Sequence, residues 1–164
     1  MRSALKSFAF ALVIFAALAA PGRSEERLGP PIPGSFELID LVRATVLAVD
    51  AGNKSGDYTR LFEMGTPTFQ AATSPERLAA GFEPLRSRTR DLSVVKAMTP
   101  QTTGAPTVDR NGLLRILGFF EIGAVQLVYD LVYDYDHQER RWRVAAISLI
   151  PHDIAPQPEL MQPR

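Results

Sequence analysis

Residues 127–136 read LVYDLVYDYD, and after a four-residue break the chain continues RWRVAAISLI from 141 to 150. Side chains of a strand point alternately to opposite faces, so a run of this kind sorts its tyrosines to one side of a sheet and its aspartates to the other. The two runs constrain each other. A two-residue loop at Gln138-Glu139 pairs His137 with Arg140 and then, on one face, Tyr135 with Trp142, Tyr133 with Val144, Leu131 with Ala146 and Tyr129 with Ser148. The other face sets Asp136 opposite Arg141 and Asp134 opposite Arg143, a favourable match of signs. A slip of one residue would set aspartate against tryptophan and turn the aromatic face to water. The hairpin therefore predicts tyrosines facing in and aspartates facing out, too far apart to share a proton. In the same register Val128, Val132, Ile147 and Leu149 join Asp130 and Ala145 on the outer face. That face is then partly apolar, and an open sheet face of this kind is expected to be covered, either by a second copy of the chain or by its own C-terminal tail or a loop.

Upstream the hydrophobic period changes from two to between three and four. Ser35 is placed to cap a helix in which Ile39, Val42, Val46 and Val49 form one apolar stripe, and Gly56 is placed to end it. Asp57 reads as the cap of a short helix, YTRLFEMG, with Tyr58, Leu61 and Phe62 facing inward. Thr66-Pro67 and Ser74-Pro75 each set a capping side chain before a proline at the first helical position, which predicts two more short helices. Leu78 and Phe82 point the later one at the core, and Pro84 breaks or kinks it. The segments LSVVKAM, LLRILGFFE, AVQLVYDLVYDYD and RWRVAAISLI are rich in β-branched and aromatic residues and read as strands, with turns at Asn111-Gly112 and Gly123. Helices first and an antiparallel meander afterwards predict an α+β fold, with helices packed on one face of a sheet of about four strands.

The termini and the composition limit function. Arg2 and Lys6 precede FAFALVIFAALAA, an apolar run of signal-peptide length followed by small residues, which predicts a signal peptide over 1–24 cleaved between Ala19 and Ser24. The alternative is an uncleaved N-terminal anchor. Residues 25–34 form a proline-rich leader and 151–164 a proline-rich tail, which leaves one domain over 35–150. Without Arg2 and Lys6 the 18 basic residues become 16 against 18 acids, with no basic stripe, which argues against nucleic acid as a partner. The chain has no cysteine, which excludes disulfides, thiol nucleophiles and lipid attachment through cysteine. These features predict a periplasmic or secreted protein with no stable membrane insertion after cleavage.

The order of GDYTRLFEM, SPERLAAGFEPLR, DRNGLLRILGFF and RWRVAAISL resembles the nuclear-transport-factor-2-like, or cystatin-like cone, superfamily, over nearly the whole domain. The resemblance implies a pocket between helices and a concave sheet. Here it would be lined by Tyr129, Tyr133, Tyr135, Trp142 and Phe119 or Phe120. It also implies pairing of subunits through the sheet, and its small exported bacterial members are mostly without known activity.

Some members of that superfamily are isomerases that move a proton with a buried carboxylate opposite a tyrosine or protonated acid. In this chain Asp130, Asp134 and Asp136 face outward, Asp57 reads as a helix cap, and Asp50 and Glu63 match no family motif, so no catalytic residue is assigned. His137 and His152 lack a second histidine at ligand spacing, and no metal or cofactor is expected. Arg86, Arg88 and Arg90 read as a solvated group before an anion site. No serine lies in a nucleophile elbow and no glycine run suits a phosphate. The sequence thus points to an exported non-enzymatic domain that binds a small apolar ligand in its cone or a protein partner through its sheet, as a homodimer. An isomerase or hydratase of the ketosteroid-isomerase type and a structural accessory domain with a filled core are the alternatives.

Overall fold

A computed structural model of the chain describes Pro30, residues 32–88 and residues 91–154. The apolar N-terminal run with its cleavage region, most of the leader, Arg90 and the tail beyond Ile154 lie outside the described residues. Within the described residues five α-helices precede a sheet of five strands that does not close, an α+β fold.

The long helix α1, Ser35–Ser55, buries Val42, Val46 and Val49, and Ile39 is half-buried at the edge of the stripe. Its N-cap is Gly34 and not Ser35, which is the first helical residue and offers no capping hydrogen bond. Gly56 closes it at φ 78°, a left-handed conformation that glycine adopts without steric penalty, and its N–H reaches the carbonyl of Gly52 at 2.8 Å. Asp57 accepts from the N–H of Thr59 at 2.9 Å as α2, Thr59–Glu63, begins. Thr66 and Ser74 cap α3, Pro67–Ala72, and α4, Pro75–Gly81, through the N–H groups of Phe69 and Arg77. Pro84 does not simply break α4: Phe82 ends it, and Pro84 sits at the start of α5, Glu83–Arg88, where its missing N–H costs nothing.

One expected strand is helical. LSVVKAM forms a 3-10 turn over Ser93–Ala97 beside α1. Three polar contacts fix it there. Asp50 on α1, only 5 % exposed, accepts from the N–H of Leu92 at 2.8 Å, its other oxygen meets Lys54, and Arg43 donates to the carbonyl of Met98 at the far end. The β-branched pair Val94-Val95 alone cannot indicate this, because tertiary hydrogen bonds override a weak strand preference.

The sheet runs β1, Gln101–Thr102; β2, Thr107–Val108; β3, Leu114–Ile122; β4, Val125–Asp136; and β5, Arg141–Asp153, all antiparallel. β4 lies between β3 and β5, and β1 and β2 both pair along the other side of β3. Gly112 and Gly123, at φ 83° and 61°, make the turns before β3 and after it. β5 continues three residues past the expected end of the domain, through Pro151-His152-Asp153.

The pairs nearest the last turn are those the alternation predicts: Asp136 with Arg141, Tyr135 with Trp142, Asp134 with Arg143 and Tyr133 with Val144. The turn itself is a four-residue loop, 137–140, with Arg140 at φ 54°, and the carboxylate of Asp136 accepts from the N–H groups of Gln138 and Glu139 to hold it. Beyond Tyr133 the register shifts by one residue. Val132 pairs with Ala146, Leu131 with Ile147 and Tyr129 with Leu149, so Ala145 is the extra residue of a β-bulge. The expected outward placing of Ile147 and Leu149 is therefore corrected: both join the inner face, and Ala146, Ser148 and Ile150 take the outer one.

Candidate functional site

The inner face of the sheet was expected to line a pocket, and its residues are packed. Tyr129, Tyr133 and Phe120 are 0 to 1 % exposed and Trp142 7 %. They belong to one cluster with Val42, Val46 and Val49 of α1, and with Tyr58 and Leu61. Phe119 is on the opposite face from Phe120, half-buried, across from Val128. Tyr135 is half-buried at the turn end and meets Trp142 edge-on, with ring centroids 5.2 Å apart. Strand alternation brings Tyr129, Tyr133, Phe120 and Trp142 together, and α1 closes over them.

Each buried phenol is engaged in the packing. Tyr133 Oη lies 2.9 Å from Thr45 Oγ1 and donates to the carbonyl of Leu41 at 3.1 Å, which ties β4 to α1. Tyr129 donates to the carbonyl of Gln101 at 2.9 Å and ties β4 to β1 across Gly118. Tyr58 donates to Asn53. Burial pushes the Tyr129 hydroxyl up to about 12 and raises those of Tyr133 and Tyr58 as well, so all three are neutral at physiological pH. Among the described residues the buried carboxylate is Asp50, and it is spent on Lys54 and the Leu92 N–H.

On the outer face the charges pair differently from the straight cross-strand ladder. Arg143 reaches diagonally to Asp136 at 2.9 Å and to Glu139 at 2.7 Å, and Arg141 also meets Glu139. Asp134 is exposed and makes no ion pair among the described residues. Arg115 and Asp130 form a two-pronged pair at 2.9 and 2.6 Å, and the guanidinium's hydrogen bonds hold the pKa of the carboxyl below its ordinary value. Beside that pair the row Phe119, Val128 and Ile150 runs across three strands, next to Leu117. Ile150 is 50 % exposed and Leu117 40 %. The outer face is thus apolar in part, as expected, with Ile150 and Leu117 in place of Ile147 and Leu149.

Three clefts stand out among the described residues. The largest, about 530 Å³, lies between α3, α4 and the free edge of β5, with Phe69, Leu78, Phe82, Ile147 and Leu149 on its walls. A second, about 230 Å³, opens between the start of α1 and the segment before β2, and a third, about 330 Å³, is polar and sits by Thr66 and Asp136. Of the six expected ligand residues only Tyr135 borders any of them, the third. The first cleft is not foreseen in the sequence reading. Its signal is the broken alternation at Ala145-Ala146, after which Ile147 and Leu149 recover the inner face. The two proline-started helices above it complete the walls.

Arg88 on α5 donates to the carbonyl of Pro151 at 3.1 Å and pairs with Asp153 at 2.6 Å, so it serves the sheet edge and not an anion. His137 lies in the turn and His152 near the end of β5, on different parts of the hairpin. No family model, curated protein or solved structure matches the chain.

Proposed function

We propose that the protein is an exported, non-catalytic binding domain, periplasmic or secreted, that engages a protein partner through the outer face of its sheet, the partner being a second copy of the chain. The observation that carries this reading is the apolar row Phe119, Val128 and Ile150 with Leu117, half-buried at Phe119 and Val128 and exposed at Ile150 and Leu117, on a face where Arg115 and Asp130 already neutralise each other. A two-fold contact sets the same patch against itself, and an apolar row is self-complementary where a charged one is not. The packed inner face supports the same reading, since the tyrosines fill the space that a cone-bound ligand would need and each hydroxyl already has a partner. The proton-transfer alternative lacks support, since the buried carboxylate among the described residues, Asp50, is engaged by Lys54 and the Leu92 N–H, and the residues clustered around the inner tyrosines are apolar or phenolic. No helix among the described residues is long and apolar enough to cross a membrane.

The test is the mass of the protein in solution by light scattering. A dimer is expected for the natural chain, and a monomer with unchanged circular dichroism for Ile150→Glu and for Leu117→Glu. A natural chain that stays monomeric at the highest attainable concentration refutes self-association.

A further inference from the structure

Backbone groups at a sheet edge have no strand to pair with, and proteins usually cover or blunt them. Along the far side of β3, β1 pairs with Gly118 and Phe119 and β2 with Leu114 and Arg115. The free side of β5 is closed at two points. At Val144 the N–H donates to the carbonyl of Met64 and the carbonyl accepts from Thr66, each at 2.9 Å. At Pro151 there is no N–H to satisfy, and the carbonyl accepts from Arg88. Counting the bulge residue once, alternation puts the backbone groups of Val144, Ile147, Leu149 and Pro151 on the free side. Two observations fix that parity independently: a proline in a strand is tolerated only with its nitrogen away from the ladder, and the N–H of Ile154, three residues on, turns inward to Ala124 at 2.8 Å. Between the closed points, the N–H and C=O groups of Ile147 and Leu149 have no protein partner among the described residues.

The same two residues send their side chains into the 530 Å³ cleft beneath α3 and α4. One charged residue, Arg77, lines that cleft among the described residues, and it is exposed.

We propose that this edge is a peptide-binding site. An extended segment of another protein pairs with the backbone of Ile147 and Leu149 as an added strand. It places two apolar side chains, two residues apart, against Leu78, Phe82 and Phe69, and sets an acidic residue against Arg77. A strand-forming peptide meets all three demands at once: backbone donors and acceptors at strand spacing, alternate apolar side chains, and one negative charge. A small apolar molecule meets only the second. The site lies at the sheet edge, on the side of Ile147 and Leu149, and none of the outer-face residues Leu117, Phe119, Val128 and Ile150 lines it, although Ala146 and Ser148 of the outer face border it at the edge.

The experiment pans a displayed library of random ten-residue peptides on the full-length protein and measures the enriched peptides by fluorescence anisotropy, with amide exchange followed by NMR. The expected result is enriched sequences sharing an apolar-x-apolar core with a nearby Asp or Glu. Binding should be weaker by about tenfold or more in Arg77→Glu, the magnitude of a lost charge-assisted contact. It should likewise be weaker in Ile147→Pro, which deletes an edge N–H and leaves the ladder to β4 intact. Since Ile147→Pro also trims a half-buried side chain, Arg77→Glu carries the result if that variant folds poorly. In the free protein the amides of Ile147 and Leu149 should exchange fast while those of Ser148 and Ile150 are protected, and bound peptide should slow the first pair. Failure to enrich any binder overturns the proposal, as does binding without protection of those two amides. Slow exchange of the pair in the free protein, abolished by truncation after Ile154, also overturns it, by showing the edge to be held by the chain's own tail.

Discussion

Gly118 on β3 lies under the ring of Tyr129, and its replacement by alanine tests whether the inner face is as tightly filled as its burial implies. A Cβ built at this position falls 1.9 Å from the carbonyl oxygen of Gln101 and 2.4 Å from the Tyr129 hydroxyl oxygen. Neither neighbour can yield alone, because the two are joined by a hydrogen bond that adds to the β1–β3 pairing in holding β1 to the sheet. Accommodating the methyl group means losing that bond, at about 1 kcal/mol, and moving a buried ring, at about 1–3 kcal/mol for overpacking. Alanine regains about 0.5 kcal/mol of backbone entropy in the unfolded chain, so the net loss is about 1.5–3.5 kcal/mol. For a domain of this size that lowers Tm by about 5–15 °C. Urea and thermal unfolding, followed by circular dichroism and by the fluorescence of Trp142, measure it. Gly81→Ala is the control for the chemical change itself, since a Cβ there meets nothing within 4 Å, and it should be neutral or slightly stabilising. In the double variant Gly118→Ala with Tyr129→Leu the cost should fall short of the sum of the two, because the ring is no longer there to be displaced. A Gly118→Ala protein within about 1 kcal/mol of the natural chain would refute the reasoning, since it would mean that the inner face has room to absorb a methyl group.

Two further outcomes follow from the hydrogen bonds. Tyr133→Phe should cost about 1 kcal/mol, and so should Thr45→Val, with the double variant costing less than their sum because the two hydroxyls contact each other and the same Leu41 carbonyl; urea midpoints with a double-mutant cycle decide this. The carboxyl of Asp136 is held below its ordinary value first by the Glu139 N–H, then by the Gln138 N–H and Arg143. A depressed carboxyl stabilises the fold above the unfolded value of about 4 and loses that contribution as pH falls through the folded value. Stability measured by urea midpoint between about pH 6 and pH 2 should therefore drop on the acid side, with a shallower slope in Asp136→Asn, and an unchanged slope would contradict the turn-holding role of this carboxylate.

Much of the architecture can be read before any coordinates because the determining signals are local. Thr66-Pro67 and Ser74-Pro75 act through bonds within one turn, Gly56 through its own backbone, and the faces of the hairpin near 137–140 through simple alternation. What escapes the sequence reading depends on distant partners. The Ser93–Ala97 turn is held by Asp50, more than 40 residues away, and the strands β1 and β2 are two-residue pieces defined only by pairing with β3. The candidate site divides along the same line. That tyrosines face inward is local; whether they border or fill a space depends on how closely α1 approaches, which Thr45 and Leu41 set by bonding Tyr133. The β5 cleft needs both the bulge and the two short helices above it, and no single segment announces the combination.

The bulge at Ala145 bears on how the length of this chain can vary. Within most of β5, gain or loss of one residue turns everything beyond it over, exchanging Ile147 and Leu149 for Ser148 and Ile150 on the side that faces the helices. Ala145 is different, because its neighbours Val144 and Ala146 already oppose consecutive residues of β4, Tyr133 and Val132. Excising it joins those two pairs into an unbroken ladder and leaves every other side chain of the strand on the face, and every backbone group on the edge, that it now has. A deletion there straightens the strand and keeps its sidedness, so this position is where β5 can tolerate a lost codon.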